Sequence, residues 1–194
     1  MMKIGILGIQ GDVSEHFAMA ERALKDLNIR GSVSIVKTLK QLDVQGLIIP
    51  GGESTTITKF LNKEHLFDSI VEKVKSGSLH VMGTCAGAIV IADSVQDSKV
   101  APMHIIPMSV SRNAYGRQVD SFEVNISIKS FDTPFKAVFI RAPKILSVGS
   151  KVDVMAKNDN DILFVRYNNN IALTFHPELS GDSRIHKLFI SGLT

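Results

Sequence analysis

Three residues of this chain have the types and settings that nucleophilic catalysis requires: Cys85, His176 and Glu178. Cys85 is the only cysteine, and it sits in HVMGTCAGAIVIAD between an apolar run that ends at Gly83 and a second one that begins near Ala86. A strand, a tight turn and a helix in that order resemble a nucleophile elbow, in which small neighbours permit a strained backbone at the carboxyl end of a strand. A helix N-terminus there favours a thiolate, and the amide of Ala86 is free to bind an oxyanion. The same residue can also be read as a small buried hydrophobe.

A thiol nucleophile needs a base, and the base needs an orienting group. Of the six histidines, His16 and His65 fall in helical stretches, His80 leads a strand, His104 lies in a β-run and His186 belongs to the last helix. These read as structural or surface residues. His176 differs, because ALTFHPEL puts it at the end of a strand with Glu178 two residues on. In an extended segment residues i and i+2 point to one side, so Glu178 is expected to bond one imidazole nitrogen while the other faces the thiol. A loop histidine beside a solvated glutamate is the plainer alternative.

LIIPGGESTT supplies a third element. Gly51 and Gly52 follow an apolar strand and precede a helix, so their backbone can approach a ligand closely. One glycine amide can serve an oxyanion hole, with Glu53 and Ser54 holding substrate. A plain strand-to-helix turn with Ser54 as N-cap is the competing reading.

These residues must be brought together by a scaffold, and the periodicity says which kind. Lys3–Ile9, Ser32–Val36, Gly46–Ile49 and His80–Gly83 are short apolar runs. Between them, helical spacing runs from Asp12 to Asn28, with Phe17, Ala20, Leu24 and Leu27 on one face and Asp12 and Glu15 as a capping box. Helical spacing also runs from Ser54 to Lys75 with a break near Asn62–His65. Strands alternating with helices predict a parallel sheet covered on both faces, with ligand loops at its carboxyl edge. After Ala101 the pattern turns β-rich: Met103–Val110, Phe122–Ile128, Lys136–Ile140, Ile145–Val148, Val152–Ala156, Ile162–Tyr167 and Ile171–Phe175 read as strands, before a final helix over about Asp182–Ile190. The prediction is an α/β fold with a central mixed sheet and a late antiparallel part. With no linker, repeat or low-complexity segment, residues 1–194 read as one domain.

Composition narrows the function classes. With 44% hydrophobic and 21% charged residues the chain is an ordinary globular one, and no apolar stretch approaches the roughly 18 residues of a membrane span. The N-terminus runs straight into a strand pattern and lacks a small-residue cleavage site, so no signal peptide is read. The net charge of +3 comes from scattered Lys and Arg without a basic run, which argues against nucleic acid as a partner. A lone cysteine fits a reducing, cytoplasmic setting. GILGIQG lacks the spacing of a dinucleotide loop, and no metal-ligand spacing occurs, so no cofactor and no metal are expected.

Taken together, GTCAG, PGGEST and FHPE resemble the class I, triad-type glutamine amidotransferases, whose three-layer fold is flavodoxin-like. More closely, GILGIQGDVSEH, PGGESTT, GTCAGAIVIA, SRNAYGRQVDSFE, FIRAP and TFHPEL resemble the glutaminase subunits of the two-protein pyridoxal 5'-phosphate synthase, over Lys3 to about Leu188. The resemblance implies Cys85 as nucleophile with His176 and Glu178 completing a triad. It implies glutamine contacts from Gly52, Glu53, Ser54, Arg112, Ile140 and Arg141, and an oligomeric synthase subunit as partner and ammonia acceptor. A guanidinium fork at Arg112 or Arg141 matches the α-carboxylate of glutamine, though either can be a surface charge. Gln10, at the end of the first strand, and Gly51 are expected to form a switch set by the partner. Two departures from the family pattern stand out: the idiosyncratic segment between Asp93 and Pro102, and Tyr115 in place of a phenylalanine. Two rivals are a γ-glutamyl hydrolase or other free-standing glutaminase with the same triad, and a non-catalytic binding module.

Overall fold

The computed structural model describes residues 1–96, 100–112 and 121–193. Tyr115 and most of SRNAYGRQVD lie outside the described residues, as do 97–99 of the idiosyncratic segment. The first half alternates as expected: β1 (Met2–Leu7), α1 (Val13–Asp26), β2 (Gly31–Val36), β3 (Gly46–Ile49), α2 (Ser54–Lys63), α3 (Leu66–Lys75), β4 (His80–Thr84) and α4 (Ala86–Ile91). The break between α2 and α3 falls at Glu64–His65, where His65 adopts a left-handed conformation at φ 58°. The second half contains β5 (Ala92–Val95), β6 (Ile106–Ser111), β7 (Phe122–Ile126), β8 (Phe135–Phe139), β9 (Lys144–Val148), β10 (Asp153–Asn158), β11 (Asp161–Tyr167) and β12 (Asn170–Leu173), then α5 (Arg184–Ser191).

Ten strands form one sheet in the order β2-β1-β3-β4-β12-β11-β9-β6-β5, with β10 on β11, and β7–β8 form a separate hairpin. The first five strands of that order pair parallel, and antiparallel pairing starts where β11 joins β12. The parallel half has the 2-1-3-4-5 order of a doubly wound sheet, so its loops converge at the carboxyl edge. Alternation along the strands divides the core in two. Ile4, Ile6, Ile48, Met82, Ile171 and Leu173 pack with α1 and α5, while Leu7, Leu47, Ile49, Val81 and Ala172 pack with α2, α3 and α4.

The expected face of α1 is the one that packs: Ala20 and Leu24 are buried, Phe17 and Leu27 pack against the same core, and His16 and Ala23 join them. Two local expectations are corrected. Asp12 makes no side-chain cap to α1, so the expected capping box does not form; its carboxylate turns towards His176 instead. The run from Met103 enters the sheet only at Ile106. The amides of Met103, His104 and Ile105 are used earlier, on the carbonyls of Val90, Ala92 and Ile91 behind the end of α4. That short α4 also leaves room for β5, which the apolar run around Ile89–Ile91 concealed.

Candidate active site

Cys85 stands between β4 and α4 with φ 48° and ψ −108°, a strained backbone for any residue but glycine. Its neighbours explain how the turn survives. A Cβ on Gly87 would lie 1.9 Å from the carbonyl oxygen of Ile49, and one on Gly83 would lie 2.6 Å from that of Gly87. The two glycines let β3, β4 and α4 approach until no side chain fits between them. The Cys85 amide donates to Leu173 O at 2.8 Å, tying the turn to β12 as well. Ala86 is the first residue of α4, so its N–H has no acceptor within the helix.

His176 follows β12, and its own amide donates to Val138 O of β8 at 2.8 Å. The β7–β8 hairpin therefore sets two groups at once. Phe135 and Phe139 pack on Phe175, and the chain leaving β8 carries Ile140, whose carbonyl lies 3.8 Å from the Cys85 sulfur. His176 and Cys85 line the same cleft and interact electrostatically, and the ring's Nδ1 lies 2.7 Å from Glu178 Oε1. The sequence pairing of His176 and Glu178 is thus right, but its geometric reason is not. The chain leaves the extended conformation at His176, and Pro177–Leu179 forms a 3-10 turn that swings Glu178 back beneath the ring. Proline at the first position of that turn has φ pre-set for it.

Burial dominates the electrostatics. Burial opposes charge on His176, but its interactions with Cys85 and Glu178, which accept from the charged ring, and the charge of Glu178 outweigh it, raising the pKa to about 10. The Glu178 side chain is inaccessible to solvent, and burial pushes its carboxyl upward against the pull of His176. A second carboxylate, Asp12 Oδ2, stands 3.3 Å from the same Nδ1. Asp12, His176 and Glu178 bring three ligand-type atoms within 4.8 Å, yet both carboxylates face the imidazole N–H, and a cation there would have to displace that proton.

Gln10, Gly52, Glu53, Ser54, Cys85, Ala86, Arg112, Ile140, Arg141 and His176, all named from the sequence, line one cleft of about 520 Å³. That size suits a small polar ligand. Gly51 lies just behind it, where a Cβ would sit 2.6 Å from His176 Cε1. Ser54 is buried, and its hydroxyl has no hydrogen-bond partner among the described residues. Glu53, rather than Ser54, is the N-cap of α2 and accepts from the Thr55 amide. The carboxylate of Glu53 also receives Arg112 Nη2 at 2.5 Å. Arg112 therefore reaches the cleft as half of an ion pair, whereas Arg141 stands exposed at its mouth with φ 44°. Gln10 Nε2 donates to Glu53 O at 3.0 Å, so the end of β1 does touch the loop after β3. Another hollow of about 510 Å³, at residues 127–129 and 154–157, gathers one hydroxyl and two lysines, of which Lys129 is already paired with Asp153 at 2.7 Å.

Sequence reasoning missed Asp12, Thr84, His16 and His186 behind the triad. His16 Nε2 lies 3.1 Å from Glu178 Oε2 and 3.1 Å from Thr84 Oγ1, and its Nδ1 lies 3.0 Å from His186 Nε2. The available hint was positional: both histidines fall on the apolar stripes of their helices, beside Ala20 and Leu24 in α1 and beside Ile185 and Phe189 in α5.

Comparison with known proteins bears on the family and the fold. The model of the SNO glutamine amidotransferase family matches residues 6–194. The pyridoxal 5'-phosphate synthase subunit PdxT of Pyrococcus furiosus is 46% identical over 194 residues, covering 98% of each chain. The protein of the same name from Methanosphaerula palustris is 42% identical over 194 residues, covering 99% of this chain and 97% of its own. A crystal structure described as a glutamine amidotransferase superposes with a TM-score of 0.87 at 38% identity, covering 98% of both chains. PurLQS from Thermotoga maritima, at 18% identity and a TM-score of 0.66 over 99% of this chain and 97% of that one, shares the fold. No helix among the described residues is long and apolar enough to cross a membrane. With a match of this extent over the whole described cleft, the chain belongs to the SNO glutamine amidotransferase family.

Proposed function

We propose that the chain, as one glutaminase domain, hydrolyses L-glutamine to L-glutamate and ammonia and hands the ammonia to a separate synthase subunit that makes pyridoxal 5'-phosphate. One observation carries the reading: the only cysteine sits on a strained turn against an imidazole whose far nitrogen is 2.7 Å from a buried carboxylate. Cys85 gives its proton to His176 and attacks the side-chain amide carbon of glutamine. His176 returns that proton to the departing nitrogen, ammonia leaves, and a thioester to Cys85 remains. His176 then takes a proton from water, the hydroxide adds to the thioester carbonyl, and glutamate departs as sulfur recovers the proton. Glu178 keeps the Nδ1–H tautomer and favours the charged ring.

The tetrahedral oxyanion is received by the amides of Ala86 and Gly52. Glu53 and Arg112 act as a pair on the amino-acid end of glutamine, with Arg141 at the mouth supplying charge for the α-carboxylate. The hydroxyl of Ser54, unpartnered among the described residues, and the backbone of Ile140 complete the grip. The Gly51–Gly52 peptide is the adjustable part. A Cβ on Gly11 would lie 2.2 Å from Gly51 O, so that carbonyl rests against the end of β1, and the trans peptide points the Gly52 N–H the opposite way. Partner docking near Gln10 resets this peptide and switches the glutaminase on.

Cys85→Ala is the test. Glutamine-dependent product formation with the synthase partner should fall to background, while ammonium salts restore it. Substantial glutamine hydrolysis by this variant would refute the assignment.

A further inference from the structure

Glu178 poses a problem that the triad alone does not solve. Its side chain is fully enclosed, and a buried carboxylate is costly unless both oxygens meet donors. Oε1 meets His176 Nδ1, but Oε2 has no well-aligned hydrogen bond among the described residues. A polar nitrogen beside it is His16 Nε2, at 3.1 Å from both Oε2 and Thr84 Oγ1, with the threonine hydroxyl the better aligned of the two. Behind His16, at 3.0 Å from its Nδ1, stands His186 Nε2, and His186 Nδ1 has no partner among the described residues.

That dead end decides the direction of the chain. If His186 carries its proton on Nε2, it donates to His16 Nδ1, and His16 then presents Nε2–H to Glu178 and Thr84. The loose end is a lone pair on His186 Nδ1. In the reverse arrangement His16 turns a lone pair towards the carboxylate, and the loose end becomes a buried N–H on His186. An orphaned buried N–H is the rarer and costlier outcome.

We propose that His16, oriented by His186, is a positioning residue for the triad: its neutral imidazole donates Nε2–H towards Glu178 Oε2 and so holds Oε1 on His176. Burial, first, and the neighbouring histidines keep His16 well below its ordinary pKa, and burial brings His186 down to about 3, so both stay uncharged. The position matters because Asp12 Oδ2, 3.3 Å from His176 Nδ1, is a rival acceptor for the same proton. A carboxylate that drifts from the ring leaves His176 to turn towards the partly exposed Asp12, and Nε2 then turns away from Cys85. The groups facing the pair are thus Asp12 and His16 from the α1 side, Cys85 and Thr84 from the β4–α4 turn, and His186 from α5.

This inference rests on the proposed triad, and its test separates the two. His16→Leu and His16→Gln are compared with wild type in the complex with the synthase subunit, and Cys85 alkylation is followed against pH in each. Gln can place an N–H near the position of Nε2; Leu cannot. The expected result is a kcat 10- to 100-fold lower in His16→Leu, as for other outer-shell partners, with KM within threefold. The alkaline limb of Cys85 alkylation should move to lower pH in His16→Leu, because the imidazolium loses its anchored counter-charge. His16→Gln should restore both to within about threefold and 0.3 pH unit of wild type. In the wild-type protein, nitrogen-15 NMR should find His16 and His186 as Nε2–H tautomers, a readout that needs no folded variant. A folded His16→Leu with wild-type kcat and alkylation profile, or an Nδ1–H tautomer at His16, would overturn the proposal. Glutamine turnover that survives Cys85→Ala would instead overturn the triad itself.

Discussion

The turn at Cys85 and the turn at Gly51–Gly52 both leave parallel strands at the same sheet edge, but they are held in opposite ways. The first is locked on every side: residues 81–90 are all buried, backbone carbonyls press on Gly83 and Gly87, and the Cys85 amide is tied to β12. The second is buried only at Gly51. Gly52 and Glu53 are exposed, Gly52 sits at φ 131°, and a side chain, Gln10, holds the loop from above. A nucleophile must meet its base at one distance, so rigidity serves it. An oxyanion donor that is to respond to a partner needs a second orientation at little cost, which glycine permits.

The largest effect should come from breaking the rigid turn. Gly87→Ala drives a methyl into the Ile49 carbonyl, which is backbone and cannot step aside. Overpacking of this kind should cost about 3 kcal/mol or more, and lower Tm by about 6–12 °C together with activity. Thermal melts decide it, and an unchanged Tm would mean that α4 is free to move.

The adjustable turn should answer differently. Gly52→Ala would meet the side chain of Gln10, at 2.8 Å, and would be strained at φ 131°, but this exposed loop can shift to relieve both, so its Tm should change by less than that of Gly87→Ala. Because that shift would turn the Gly52 N–H away from the oxyanion, its kcat in the complex should nonetheless fall by about 10²–10³, the cost of one oxyanion donor. Gln10→Ala should leave the chain folded but weaken activation by the synthase partner. Turnover measured with and without partner checks both, and normal activation of Gln10→Ala would remove Gln10 from the switch.

Substrate grip comes next. Arg112→Ala and Arg141→Ala should each raise the glutamine KM about ten- to a hundredfold, the loss of one charge-assisted hydrogen bond. Arg112→Ala should be the worse of the two, because it also releases Glu53, the N-cap of α2. Steady-state kinetics with both variants would show whether the ion pair or the exposed Arg141 matters more.

The smallest effect is a pH signature of the rigid side. His186, with its pKa lowered to about 3 by burial, takes up a proton near pH 6.5 only when unfolded. The unfolded state then binds more protons, so its contribution to stability is complete above pH 6.5 and is lost as pH falls, by at most ~1.4 kcal/mol per unit. His176, raised to about 10, works in the other direction: its contribution is present below pH 6.5 and is lost as pH rises towards 10. Urea unfolding of wild type and His186→Leu between pH 5 and 7, roughly, should show a shallower acid slope in the variant. Equal slopes would mean that His186 is charged in the fold.

Local chemistry was what the sequence could determine. Strand and helix alternation, the Glu64–His65 break and the glycines around Cys85 follow from residue types and short spacings, because each is settled within a turn or two of chain, whereas Arg112, Ile140 and Arg141 in the cleft were expected only from the family resemblance. The pairing of His176 with Glu178 was legible for the same reason, although the 3-10 turn that achieves it was not. What waited for the tertiary structure was every contact that depends on two distant elements meeting. His16 and His186 are 170 positions apart, and nothing in either helix pattern says that their apolar stripes share one buried cavity with Glu178. Asp12 looked like a helix cap and became a second carboxylate on His176, because β1 and β12, though separated by β3 and β4, run parallel and open on the same sheet edge. Burial, which sets whether these histidines are charged, is a property of the packed layers and has no residue-level signature of its own.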